Sequence, residues 1–223
     1  MSNGTDSAQP LEPCVLTISR QLGSGGALIG RDLARRLGMP CYDREILQRA
    51  AEQLDVSEDV LEEEEERGKT FWQSLIESFA AGSPEGVYYP PPLRTPTEGE
   101  LREVESTIIA HIAKTQSAII VGRGGRHVLQ AHPRHISVFL HAAESFRLRR
   151  VQELYHVSAD EARDMLEESD HDRARYHASF SGADWVDARQ YSLCLHVSSL
   201  GIAATVDTLY NYWQTRFGSA CGN

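Results

Sequence analysis

Four clusters in this chain combine residue types able to hold a polyanion. The first, Arg20-Gln-Leu-Gly-Ser-Gly-Gly26, sets Gly23, Gly25 and Gly26 around Ser24. Glycines allow φ > 0 and close approach of backbone N–H groups to an anion, and a helix starting at such a turn aims its positive end at the same point. The same turn also occurs simply to allow tight packing. The second, Gly122-Arg-Gly-Gly-Arg126, places Arg123 and Arg126 among glycines, a composition suited to bidentate phosphate or base recognition, with a surface turn as the alternative. The third is Arg147, Arg149 and Arg150, of which Arg147 and Arg150 share a helix face and can reach one ligand. In the fourth, Asp172-Arg-Ala-Arg175, Asp172 and Arg175 share a face and Arg173 points elsewhere. A solvated helix face is the competing reading of the third cluster.

Positioning these clusters takes strands and helices in alternation. The β-prone run 14–19 precedes the first cluster, and a helix with Ile29, Leu33, Ala34 and Leu37 on one face follows it, stopping at Gly38. Residues 40–43 read as a short extended segment ending at Asp43, with a helix expected over 44–54. The runs 117–121, 135–140 and 191–197 are apolar and suit buried parallel strands. Helices are expected from about 97, over 143–156, over 158–180 and over 202–217. Such alternation predicts an α/β three-layer sandwich with a mainly parallel sheet of about five strands. Ligands of such sheets bind at the carboxyl ends of the strands, where the clusters fall.

Residues 55–116 differ from their flanks. Ser57 caps a helix running into Glu62 to Glu66, a solvated face, because consecutive helix positions point in different directions and do not converge on a metal. Five of the nine prolines lie between Pro84 and Pro96, which excludes helix or central strand and fits a mobile loop or an oligomer contact. Phe71, Trp72, Leu75, Ile76 and Phe79 form an apolar helical face for core or homodimer contact.

Composition narrows the function classes. Lys and Arg number 22 against 32 Asp and Glu, a formal charge of −10, which argues against general binding of nucleic acid polymers. Hydrophobic residues at 41% allow a proper core. No apolar run approaches the roughly 18 residues needed to cross a bilayer, so no membrane partner is expected. Residues 1–13 read as a disordered leader without an apolar signal core, and 218–223 as a tail. Cys14, Cys41, Cys194 and Cys221 lie far apart without a C-x-x-C pair, consistent with reduced thiols in a cytoplasmic protein.

The stretch Ile18-Ser-Arg-Gln-Leu-Gly-Ser-Gly-Gly, then Ile29-Gly-x-x-Leu-Ala-x-x-Leu-Gly, Tyr42-Asp-Arg-Glu45 and Val121-Gly-Arg-Gly-Gly resembles the cytidylate kinase-like family, a divergent branch of the P-loop nucleoside monophosphate kinases. The resemblance runs from about Val15 to Trp213. It implies a P-loop NTPase-like fold in one domain over 14–217, with a helical acceptor-side insertion at 44–115 and a lid at 145–178. It also implies transfer of the ATP γ-phosphoryl group, with Mg²⁺, to a nucleoside monophosphate such as CMP or dCMP. By similarity to bacterial cytidylate kinases, Arg123, Asp172 and Arg175 would hold the acceptor, and Arg147, Arg150 and Arg173 would neutralise the transferring group. Phosphoryl transfer needs mostly such positioning and charge compensation.

The departures from the pattern are specific. A Walker A loop reads G-x-x-x-x-G-K-[ST], yet here Gly26 stands at the lysine and Arg20 at the first glycine, and Ala27 and Leu28 follow. Val121 replaces an aspartate. Arg20 is the candidate for the lysine's charge, Ser24 for a metal-side hydroxyl and Asp43 for a carboxylate near the acceptor. Two other readings stand beside the kinase. One is a nucleotide-binding regulatory module that has lost turnover. The other is a dinucleotide-binding oxidoreductase, disfavoured because Leu28 occupies the third glycine position of G-x-G-x-x-G.

Overall fold

A computed structural model describes residues 13–43, 98–182 and 184–218. The expected helices over 44–54 and the acidic run, the proline-rich stretch and the apolar face at Trp72 lie outside the described residues.

Strand β1 (Val15–Arg20) leads through the glycine turn into α1 (Gly26–Leu37), then β2 (Cys41–Tyr42), α2 (Glu98–Thr115), β3 (Ala118–Val121) and the short α3 (Gly125–Val128). There follow β4 (His135–His141), α4 (Glu144–Tyr155), α5 (Ala159–Ser181), a 3₁₀ turn (Ala188–Gln190), β5 (Leu193–His196), α6 (Val197–Leu200) and α7 (Ile202–Phe217). All five strands sit on the runs read from sequence. The one-turn helices α3 and α6 were not anticipated, because four residues are too few to display a 3.6 period.

The sheet is wholly parallel, in the order β2-β3-β1-β4-β5. Its strands are apolar almost throughout because both faces are covered. Leu16 and Ile18 of β1, in register with Ile119 and Val121 on one side and Ile136 and Val138 on the other, form one core with Ile29 and Leu33 of α1 and Leu209 and Trp213 of α7. Val15, Ala118 and Ile120 point to the opposite face and pack with Ile108, Ile109 and Ile112 of α2. Each such fully buried Ile or Leu contributes roughly 1.5–3 kcal/mol. The result is the expected three-layer sandwich.

Local signals set the element ends. Gly38 takes φ 67 and its N–H bonds the last carbonyls of α1, the expected glycine stop. Ser158 and Glu161 form a reciprocal capping box at the start of α5. In mid-α1, Gly30 serves close approach: a Cβ there would lie 2.7 Å from Val121 Cγ2. Helices α4 and α5 pair through Val151, Ala162 and Leu166, with Leu22 of the glycine turn packed against them. Among the described residues no helix is long and apolar enough to cross a membrane. Cys14 is disulfide-bonded, correcting the expectation of a reduced thiol there, while Cys41 and Cys194 are free.

Candidate active site at the carboxyl ends of the strands

At the end of β1 the chain turns sharply through two left-handed glycines, Gly23 at φ 77 and Gly25 at φ 87. Gly25 is also the N-cap of α1, and no side chain caps the first helical turn by a hydrogen bond. The Ser24 hydroxyl donates to the Gln21 carbonyl at 2.8 Å, and Ser24 is fully buried. The hydroxyl expected on the metal side is therefore used inside the turn.

Arg20 leaves β1 and crosses this turn. A Cβ on Gly26 would lie 2.7 Å from Arg20 Cγ, and a Cβ on Gly122 would lie 2.9 Å from Arg20 Cζ. The alkyl stem thus runs over the position where a Walker lysine would begin, and the guanidinium rests on the second glycine turn. Gly122, Arg123 and Gly124 there are all left-handed, with Arg123 at φ 51. A non-glycine residue in that region is uncommon and costs of order 1–3 kcal/mol, so the surroundings must hold it. Its side chain is held by Glu105 of α2, whose Oε1 lies 3.0 Å from Arg123 Nε, and by the ring of Tyr176 in α5.

Arg147 is buried within α4. Its Nε donates to the Leu22 carbonyl at 2.8 Å and its second guanidinium nitrogen pairs with Asp170 at 2.6 Å. Gly23 lies against its backbone, where a Cβ would meet Arg147 O at 2.7 Å. Arg173 approaches the same carboxylate from α5, 3.7 Å from Asp170 Oδ1, and donates to Ser169. Arg150 lies beside the Phe146 ring, and its buried Nε has no hydrogen-bond partner among the described residues. Asp172 and Arg175 pair with each other on an exposed flank of α5. Asp43 follows β2 directly, its charge near Cys41. The structure thus brings Arg20 and Arg123 onto one glycine turn and Arg147 and Arg173 onto one carboxylate, and leaves Arg175 apart.

Several participants escaped the sequence reading. His127 of α3 and His177 of α5 face each other at 3.0 Å, His127 stacked on Phe180 and His177 on Trp185. Arg126, grouped by sequence with the anion-binding turn, instead donates from Nε to the Gln190 carbonyl and from a terminal nitrogen to the Gln190 side chain, both at 2.6 Å. It ties the 184–191 segment across the strand ends. No apolar period along α5 marks Asp170, Arg173, His177 and Phe180 as its inner face, because three of the four are polar.

Burial, then the charges of His127, Arg126, Arg20 and Arg173, pushes the His177 imidazole down to about 3. Burial and Arg126 push His127 to about 4, and burial, with His132 next, does the same to His135. In the unfolded chain these groups take up protons near 6.5. Below that pH the unfolded state binds more protons than the folded one, so stability is full above about pH 6.5 and declines toward pH 4. Urea unfolding at pH 7.5 and pH 4.5 should show the midpoint falling with acid, with a shallower fall in His177→Gln. A midpoint independent of pH would contradict neutral burial of these rings.

The family model described as cytidylate kinase-like matches residues 15–199. Among solved structures, an uncharacterized protein from Eubacterium ventriosum superimposes with a TM-score of 0.68 at 21% identity, over 91% of this chain and 99% of that one. Shikimate kinase from Bacteroides thetaiotaomicron gives 0.50 at 16% identity, over 90% and 98%. Both likenesses concern the fold. No curated protein matches the sequence.

Proposed function

This chain belongs to the cytidylate kinase-like family, and we propose on that premise that it transfers the γ-phosphoryl group of ATP to a nucleoside monophosphate, CMP or dCMP. The observation that supports the reading is the course of Arg20, which spans from the α1 glycine turn to the Gly122 turn, the two turns that this proposal assigns to donor and acceptor. In this scheme Gly23, Gly25 and Gly26 with the start of α1 cradle the donor phosphates. Arg20 supplies the cation that a Walker lysine otherwise supplies, and Arg123 holds the acceptor phosphate. Arg150 and Arg173, on the α4–α5 hairpin at 145–178, compensate the charge of the transferring group as that hairpin closes. Arg147 anchors the hairpin to the glycine turn. Asp43, after β2, and the Asp172–Arg175 pair on α5 serve as further acceptor contacts in this scheme.

A bound Mg²⁺ would supply neutralisation of the charge that develops in the transfer. Among the described residues no group of three or more His, Cys, Asp or Glu could hold a metal ion, and the Ser24 hydroxyl is committed to Gln21. In this scheme the charge compensation that the described residues supply comes from their guanidinium groups.

A regulatory nucleotide-binding module is the second reading. It is favoured by internal carboxylates on the arginines, Asp170 on Arg147 and Arg173, and Glu105 on Arg123. A panel of ribo- and deoxyribonucleoside monophosphates with ATP and Mg²⁺, scored for ADP release, separates the two. The kinase reading expects the highest turnover with CMP or dCMP, and Arg123→Ala should raise the acceptor KM about 10- to 100-fold through loss of a charged hydrogen-bond pair. ATP binding without transfer to any acceptor would leave the module.

A further inference from the structure

We propose that Glu105 is the positioning residue of Arg123, fixing the plane of that guanidinium for the acceptor phosphate. The inference rests on the reading of Arg123 as an acceptor contact. Glu105 stands in α2 among core isoleucines and is wholly buried, its side chain only 1% exposed against 17% for Arg123. Its carboxylate engages two elements at once. Oε1 pairs with Arg123 Nε at 3.0 Å, and Oε2 accepts from the Tyr176 hydroxyl at 3.4 Å. The Tyr176 ring in turn lies 5.9 Å from the Arg123 guanidinium carbon. Burial, and then the Glu105 charge, pushes the Tyr176 phenol up to about 12, so it remains a donor throughout the working pH range.

Packing alone does not account for this arrangement. A carboxylate in the core is costly to desolvate, and replacing a buried ion pair by apolar residues of similar volume is often neutral or stabilising. Apolar residues at both 105 and 123 would extend the apolar run of Ile108, Ile109 and Ile112 without that cost. What only the carboxylate provides is orientation. Arg123 emerges from a strained left-handed turn flanked by Gly122 and Gly124, and such a turn leaves a long side chain many directions. The Nε contact, with the aromatic ring beside it, selects one. Because Tyr176 belongs to the α5 lid helix, the same carboxylate also ties acceptor recognition to the position of the lid.

The test compares full-length wild type, Glu105→Leu, Glu105→Gln and Arg123→Ala by thermal melting, calorimetric titration with CMP and with ATP, and steady-state kinetics. Glu105→Leu, which strands the Arg123 guanidinium, should fold with a lower Tm, lose roughly 10- to 100-fold in CMP affinity through misplacement of Arg123, and keep its ATP affinity. Glu105→Gln, of the same shape without the charge, should fall between it and wild type, and serves alone should the leucine variant fail to fold. Parallel losses for CMP and ATP would reveal a structural role and overturn the proposal. Loss of CMP binding in Arg123→Ala with full retention in the Glu105 variants overturns the positioning role while leaving the kinase reading intact. If wild-type protein binds no CMP at all, the functional reading fails and this role fails with it.

Discussion

Arg20→Ala is expected to lower kcat about 100- to 1000-fold, the usual consequence of removing one preorganised charge donor from an acyl- or phosphoryl-transfer site. The melting temperature should move little, because the stem of Arg20 lies across the surface of two glycine turns and is not part of either core cluster. The same geometry predicts a conditional rescue. At Gly26, the Walker lysine position, a Cβ would sit 2.7 Å from Arg20 Cγ, so Gly26→Lys by itself must push Arg20 aside and should be nearly inactive. With Arg20→Ala the space opens, and the double variant should regain part of the lost turnover. A lysine and an arginine entering the same phosphate site from opposite ends of one turn are then alternatives. Unchanged kcat in Arg20→Ala would remove it from the reaction.

Arg147→Ala is expected to cost about 3 kcal/mol of stability, a Tm drop of roughly 6–12 °C for a chain of this size. Truncation strands the Asp170 carboxylate beside Arg173 and leaves the Leu22 carbonyl without its 2.8 Å donor. The figure is the lower end for a broken buried pair, since Asp170 is 26% exposed and water can partly replace the lost partner. Arg147→Lys should not rescue it. A lysine offers its donors from a single point and cannot serve a carbonyl on the glycine turn and a carboxylate on α5 together. Denaturant titration of both variants checks this, and a wild-type midpoint in either would show that the turn and the α4–α5 hairpin are anchored elsewhere. Resemblance alone assigned Arg147 to the transferring phosphoryl group. Its burial and its bond to the Leu22 carbonyl instead make it the residue that holds the α4–α5 hairpin against the Gly23 turn.

The features legible in the sequence are the local ones. Short β-prone or apolar runs marked β1, β3, β4 and β5 because a parallel sheet covered on both faces tolerates little else, whereas the two-residue β2 read only as a short extended segment. Gly23, Gly25 and Gly38 marked a turn and a helix end because only glycine enters the left-handed region without penalty. The family motif joined these pieces, and with them the fold. What required the tertiary structure was each partnership across long separations: Glu105 with Arg123, Arg147 with Leu22, and Arg20 with Gly122. Helix α5 shows why. Its inner face is built from Asp170, Arg173, Tyr176, His177 and Phe180, polar or amphipathic almost throughout, so hydrophobic periodicity carries no phase and left Arg175 equally plausible at the site. Buried ion pairs and hydrogen bonds set that phase, and they come into being only once the strands have brought the glycine turns together.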